Sequence, residues 1–101
     1  MKFIILFSFV LLFAPSNRIS KDCRCNLTKL YGRVRFVNDG ADFRIKFLSN
    51  NPDLNIKFVT RPANKCGEWQ IVEGGEDFTV AVVDGGEAFT VRYNESNPGV
   101  N

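Results

Sequence analysis

IVEGGEDFTVAVVDGGEAFTV, Ile71 to Val91, says nearly one thing twice. Glu73-Gly74-Gly75-Glu76-Asp77-Phe78-Thr79-Val80 returns eleven residues later as Asp84-Gly85-Gly86-Glu87-Ala88-Phe89-Thr90-Val91. Followed outward, the echo becomes a repeat. Six units of eleven residues appear: RVRFVNDGADF (Arg33–Phe43), RIKFLSNNPDL (Arg44–Leu54), NIKFVTRPANK (Asn55–Lys65), EWQIVEGGEDF (Glu68–Phe78), TVAVVDGGEAF (Thr79–Phe89) and TVRYNESNPGV (Thr90–Val100). Cys66-Gly67 is the insertion that divides them into three plus three.

The columns of this array carry the fold. The second position is apolar throughout: Val34, Ile45, Ile56, Trp69, Val80 and Val91. So is the fourth: Phe36, Phe47, Phe58, Ile71, Val82 and Tyr93. The last is apolar in every unit but the third, where Lys65 stands. Last, second and fourth positions lie two apart across a unit boundary, which is strand periodicity with one face inward. All three columns are therefore expected in the core. Positions six to ten are rich in Gly, Pro, Asn and Asp and read as turns. Asp42, Asp53, Asn64 and Asp77 share the tenth position and are expected to cap those turns with their side chains. No segment has helical spacing. The fold class is all-β, with strands of about six residues and turns of about five.

The chain has 101 residues, enough for one domain. Phe3 to Ala14, FIILFSFVLLFA, follows Met1-Lys2 and is apolar apart from Ser8. It is too short for a bilayer span and fits the apolar region of a secretory signal peptide. Residues 1–20 are assigned to that signal, with cleavage after Ser16 or after Ser20, and residues 21–101 to one β-repeat domain. The expected location is secreted or periplasmic, with no stable membrane anchor after cleavage. A domain of about 80 residues has a marginal core by itself, and export makes disulfide support possible.

Charge is split along the chain. Lys21 to Lys65 carries ten Lys/Arg against four Asp/Glu, and Cys66 to Asn101 carries Arg92 against seven acids. Halves of opposite sign neutralise each other within one fold, so a nucleic-acid partner is not expected.

The units resemble the 7(1) septoil knot domain, a family of small secreted repeat proteins. The features that carry the resemblance are a Cys near the start of the domain, the units VRFVNDGADF, IKFLSNNPDL and IKFVTRPANK, a break at CGEWQ, and further units after it. The resemblance covers Cys25 to Asn101. It departs from the family pattern at Ala63-Asn64 and Pro98-Gly99, where the acidic turn ending is lost, and at Gly67-Glu68-Trp69. It implies six strand-turn repeats interlaced as a deep torus-type knot. The periodicity alone equally allows a short β-solenoid or a closed antiparallel β-barrel. The family brings no activity with it.

Three cysteines, Cys23, Cys25 and Cys66, leave one unpaired or bonded between molecules. Cys23 and Cys25 are too close to bridge easily, so Cys66 reaches back to one of them. The resemblance begins at Cys25, which points to Cys25–Cys66 and leaves Cys23 as the free or intermolecular thiol. No histidine is present, which removes the usual general base and a common metal ligand. The acids of EGGED and DGGEA recur as turn elements and match no calcium loop. No catalytic residue, metal or cofactor is assigned. The expected function is an exported, non-catalytic binding or structural module. It would touch an unknown extracytoplasmic protein or glycan through the outward residues Arg33, Arg35, Arg44, Lys46 and Lys57. The alternatives are an inhibitor of a secreted hydrolase and a cysteine-based metal-binding protein.

Overall fold

A computed structural model describes residues 18–101. The apolar run Phe3–Ala14 and the cleavage position after Ser16 lie outside the described residues. Nine strands and no helix are present among them. A small hairpin, β1 (Arg24–Cys25) and β2 (Thr28–Lys29), pairs antiparallel. The main strands are β3 (Gly32–Phe36), β4 (Phe43–Phe47), β5 (Leu54–Phe58), β6 (Glu68–Ile71), β7 (Phe78–Val82) and β8 (Phe89–Tyr93), and β9 (Gly99–Val100) ends the chain.

The six main strands are parallel and close on themselves in the order β6-β3-β7-β4-β8-β5, with β5 pairing β6. This corrects the antiparallel barrel expected as an alternative: the sheet is a closed barrel, but its strands run the same way. Every strand of the first half lies between two strands of the second. Each also divides its pairing. Residues Gly32 to Val34 of β3 face β6, and Val34 to Phe36 face β7. That stagger tilts the strands steeply, so each strand climbs little along the barrel axis. Parallel neighbours normally need a long crossover to return the chain. Here links of six residues, reaching about 20 Å, carry the chain past one strand of the other half, and residues 59–67 join the neighbours β5 and β6.

The links show how the halves hold each other. Residues 37–42 bond β7 at both ends: the Val37 N–H donates to the Val80 carbonyl, and the Asp42 N–H to Thr79 Oγ1. Residues 48–53 bond β8 in the same manner, through Leu48 to Val91 and Asp53 to Thr90. Residues 72–77 bond β3, and residues 83–88 bond β4. Each link thus straddles the strand of the other half that fills the gap. The tenth-position acids act here. Asp42 accepts from the Thr79 N–H at 2.9 Å, Asp53 from Thr90 at 2.9 Å, and Asp77 from Arg33 at 2.8 Å. They clasp the opposite half instead of capping their own turns, because the interposed strand brings an unpaired N–H to them. Gly32 makes room for the Asp77 clasp: a Cβ there would sit 2.4 Å from its carboxylate oxygen.

The core follows the columns. The second-position residues Val34, Ile45, Ile56, Trp69, Val80 and Val91 are all fully buried. Beneath them, at the strand starts, lie Phe43, Leu54, Phe78 and Phe89. Trp69 is held by its indole N–H, which donates to the Leu30 carbonyl at 3.0 Å. The same cluster includes Ile19, Cys23, Cys25 and Leu30, which close the barrel at the N-terminal ends of its strands.

The bridge is Cys23–Cys66, with Cα atoms 5.8 Å apart, and Cys25 is the free cysteine, buried. This reverses the expected pairing of Cys25. Cys25 sits in β1 with its side chain in the core. Cys23, at φ 67°, lies in the tight turn before the hairpin and reaches Cys66 at the entry to β6. The bridge also takes two of the three sulfurs that the metal-binding alternative requires.

Candidate functional site

The five basic residues singled out from the sequence sit on the outer wall of the barrel, on β3, β4 and β5. They do not form one open basic face. Arg33 pairs with Asp77 at 3.3 Å and Arg35 with Glu76 at 3.2 Å. The Arg44 guanidinium lies beside the turn at Gly86. Arg44, Lys46 and Lys57 make no ion pair among the described residues. Glu76 and Asp77 of EGGED are thus turned onto β3, the basic strand they straddle, and Glu87 of DGGEA onto Arg18. Their pKa values follow. Glu76 is lowered by its own backbone N–H and by Arg35, and Glu87 by its own backbone N–H and by Arg18. Asp77 is lowered by the Arg33 N–H and its guanidinium, against the pull of burial. The charge split of the sequence becomes contact between the halves.

One acid is built into the structure more deeply. Glu68, at the start of β6, is buried and accepts two hydrogen bonds from Arg61, at 3.1 and 2.8 Å, and one from the Asn64 N–H at 3.1 Å. These partners, Arg61 first, hold its pKa down to about 2. The arrangement fixes the link between the two halves. Gly67, just before it, has φ +85°, and a Cβ there would lie 2.4 Å from the Asn55 carbonyl oxygen. Only glycine passes this point without displacing backbone.

The feature that stands apart is the other end of the barrel. The fourth-position residues point inward, as their alternation requires. They are nevertheless not buried. Phe36 is 37% exposed, Phe47 and Phe58 43%, Ile71 45%, Tyr93 47% and Val82 55%. Each is the last residue of its strand. Together they form an apolar ring, one residue per strand, at the open mouth where all six strands end. Phe58 bridges the ring: its centroid lies 5.4 Å from Tyr93 and 6.5 Å from Phe36, and Phe36 rests 6.2 Å from the buried Trp69. The N-terminal mouth is closed by the hairpin and Ile19, but no described segment covers this one.

This corrects the reading of the fourth column as core. Its face was right and its depth was not. A strand of five residues puts three side chains on the inner face, and steep tilt leaves height for two fully covered layers. Contiguous exposed apolar surface is uncommon on folded proteins. The signal in the sequence was the end of each strand. An apolar residue two places before Asn38, Ser49, Thr60, Glu73, Asp84 or Glu95 sits at the rim and not in the middle.

The rim itself is polar. Those six residues are each the second of their link and are all exposed. Around the barrel they run Glu73, Asn38, Asp84, Ser49, Glu95, Thr60. Interleaving therefore places a carboxylate at every other position. None of the three carboxylates makes an ion pair or side-chain hydrogen bond among the described residues. The nearby cation Arg61 is held by Glu68. No group of three or more His, Cys, Asp or Glu residues is placed to hold a metal among the described residues.

A family model described as the 7(1) septoil knot domain matches residues 27–101. No curated protein matches the chain.

Proposed function

We propose, for a chain that belongs to the 7(1) septoil knot domain family, a non-catalytic binding role at the open C-terminal mouth of its barrel. One observation carries this reading: six large apolar side chains, one from each strand, share one rim and none is buried. Leaving them in water has a cost. A partner that covers them recovers about 25 cal/mol for each Å² of apolar surface removed from solvent. The barrel is a rigid frame for such a surface, because each link bonds a strand of the other half and little ordering is left to oppose binding. An extracytoplasmic site of action fits the Cys23–Cys66 bridge, which persists in an oxidising compartment.

The test is a neutral apolar probe. Nile red added to the purified protein should bind and shift its emission, with Trp69 quenched beneath it. Phe47→Ser and Val82→Ser should reduce binding while the far-UV spectrum stays unchanged. A protein that binds no neutral apolar probe, or binds it equally in the ring variants, does not use the mouth.

The interlaced path is read as the knotted topology that the family's name describes. Every link within a half straddles a strand from the other half, which supports this. Threading a knot should slow refolding of the reduced chain to minutes, beyond the range typical of small non-local β folds. Refolding within seconds contradicts the knot.

A further inference from the structure

The binding reading above leaves the occupant of the mouth open, and its rim narrows the choice. We infer that the mouth receives a cationic amphipathic polypeptide segment, seating its apolar side chains on the ring formed by Phe36, Phe47, Phe58, Ile71, Val82 and Tyr93 and its basic groups on Glu73, Asp84 and Glu95. The inference rests on the mouth being the binding surface and adds the chemistry of the partner.

The argument is charge complementarity around an apolar centre. Glu73, Asp84 and Glu95 each lie two residues beyond a ring residue, on β6, β7 and β8. Those strands alternate with β3, β4 and β5, so the carboxylates are spread around the whole rim. Asp39 adds a fourth acid on the link after β3, and it too makes no ion pair among the described residues. No basic side chain pairs with them among the described residues. Arg33 and Arg35 are taken up by Asp77 and Glu76 on the outer wall and Arg61 by Glu68, while Lys46, Lys57 and Arg92, each one residue before a ring residue on the outward face, make no ion pair with any of the four. An apolar patch ringed by unanswered carboxylates favours a partner with apolar residues at its centre and Lys or Arg at its flanks.

The same rim disfavours the other occupants. Two copies joined mouth to mouth would bring acidic rims face to face, and like charges across an interface are strongly unfavourable. An anionic lipid surface meets the same repulsion. The described N-terminus cannot easily reach the mouth either. Arg18 is tied to Glu87 at 3.2 Å, and Glu87 precedes β8 at the opposite end of the barrel.

The experiment uses the purified protein and three synthetic peptides of equal length: alternating Leu and Lys, alternating Leu and Glu, and alternating Ser and Lys. Binding is followed by titration calorimetry and by emission of Trp69, the single tryptophan. The Leu/Lys peptide should bind, and each of the others at least about tenfold more weakly, a difference of about 1.4 kcal/mol. The triple variant Glu73→Gln, Asp84→Asn, Glu95→Gln should lose most of the preference for Lys over Glu and still bind Nile red. These groups are exposed and unpaired, so the variant should fold normally.

Equal affinity for the Leu/Lys and Leu/Glu peptides overturns the inference, as does a Ser/Lys peptide that binds as tightly as Leu/Lys. So does a dimer in sedimentation that Phe47→Ser dissolves, or binding to anionic vesicles that exceeds binding to the Leu/Lys peptide. In each of those cases Nile red binding at the mouth can persist, and the binding reading survives. Loss of Nile red binding removes both.

Discussion

Ile45 and Phe47 are neighbours on the inner face of β4, and replacing each with alanine separates the core from the mouth. Ile45 is fully buried, and Phe47 is 43% exposed. Ile45→Ala removes methyl groups from a closed layer and leaves a cavity, so the loss should be about 2–5 kcal/mol. Phe47 is different. Full burial of a Phe side chain contributes up to about 3 kcal/mol, and this residue realises slightly more than half of that. No cavity forms, because water already reaches the site. Phe47→Ala should therefore cost about 1.5 kcal/mol. Urea titration of both variants, followed by Trp69 emission and far-UV circular dichroism, gives the two values, and the slope with urea should match the parent. The residue that is larger by volume should matter less. If Phe47→Ala costs as much as Ile45→Ala, the mouth is closed in solution. The ring is then a third core layer, and the case for a docking surface fails with it.

Four further outcomes follow from the same structure. Under denaturing, non-reducing conditions a thiol reagent should find one thiol, Cys25. In the native state that thiol should react slowly, because burial both shields it and pushes its pKa up. Cys66→Ala should lower stability by about 4 kcal/mol, the chain-entropy value for a loop spanning 43 residues, measured by urea titration of the oxidised parent and the variant. Glu68 has a folded pKa of about 2, below its ordinary 4.5. Its contribution is therefore present above about pH 4.5 and lost as pH falls towards 2. Urea midpoints between pH 6 and 2 should fall in the parent and fall less in Glu68→Gln. Gly67→Ala must hold a left-handed backbone and displace the Asn55 carbonyl, so thermal unfolding should show a loss on the order of 3 kcal/mol.

The strands were legible because side-chain alternation survives any barrel geometry. Val34, Ile45, Ile56, Trp69, Val80 and Val91 share a column and share the fully buried layer. What alternation does not carry is height along the barrel. Phe47 and Ile45 look alike in the sequence, and only strand length and tilt separate mouth from core. Pairing was hidden for a related reason. β3 precedes β4 by eleven residues, yet its neighbours are β6 and β7, because the second half fills the gaps left by the first. Asp42 and Asp53 therefore looked like turn caps and proved to be clasps on Thr79 and Thr90. The bridge to Cys23 was missed because both cysteines are buried in the same cluster, and a two-residue difference in sequence cannot show which of them faces Cys66.

The charge split gains its meaning from the same interleaving. Read along the chain, the sequence has a basic half and an acidic half, which suggests two opposed surfaces. Wound into the barrel, the halves alternate strand by strand, and each acidic link crosses a strand of the basic half. Acids late in a link, Glu76 and Asp77, meet Arg35 and Arg33 on the wall and are neutralised there. Acids at the start of a link, Glu73, Asp84 and Glu95, leave the mouth before any basic strand is reached. One compositional bias thus has two outcomes, set by position within the repeat. The tenth position holds the halves together. The sixth places carboxylates at alternate points around an apolar ring, which is why these unpaired acids stand where the apolar surface is also uncovered.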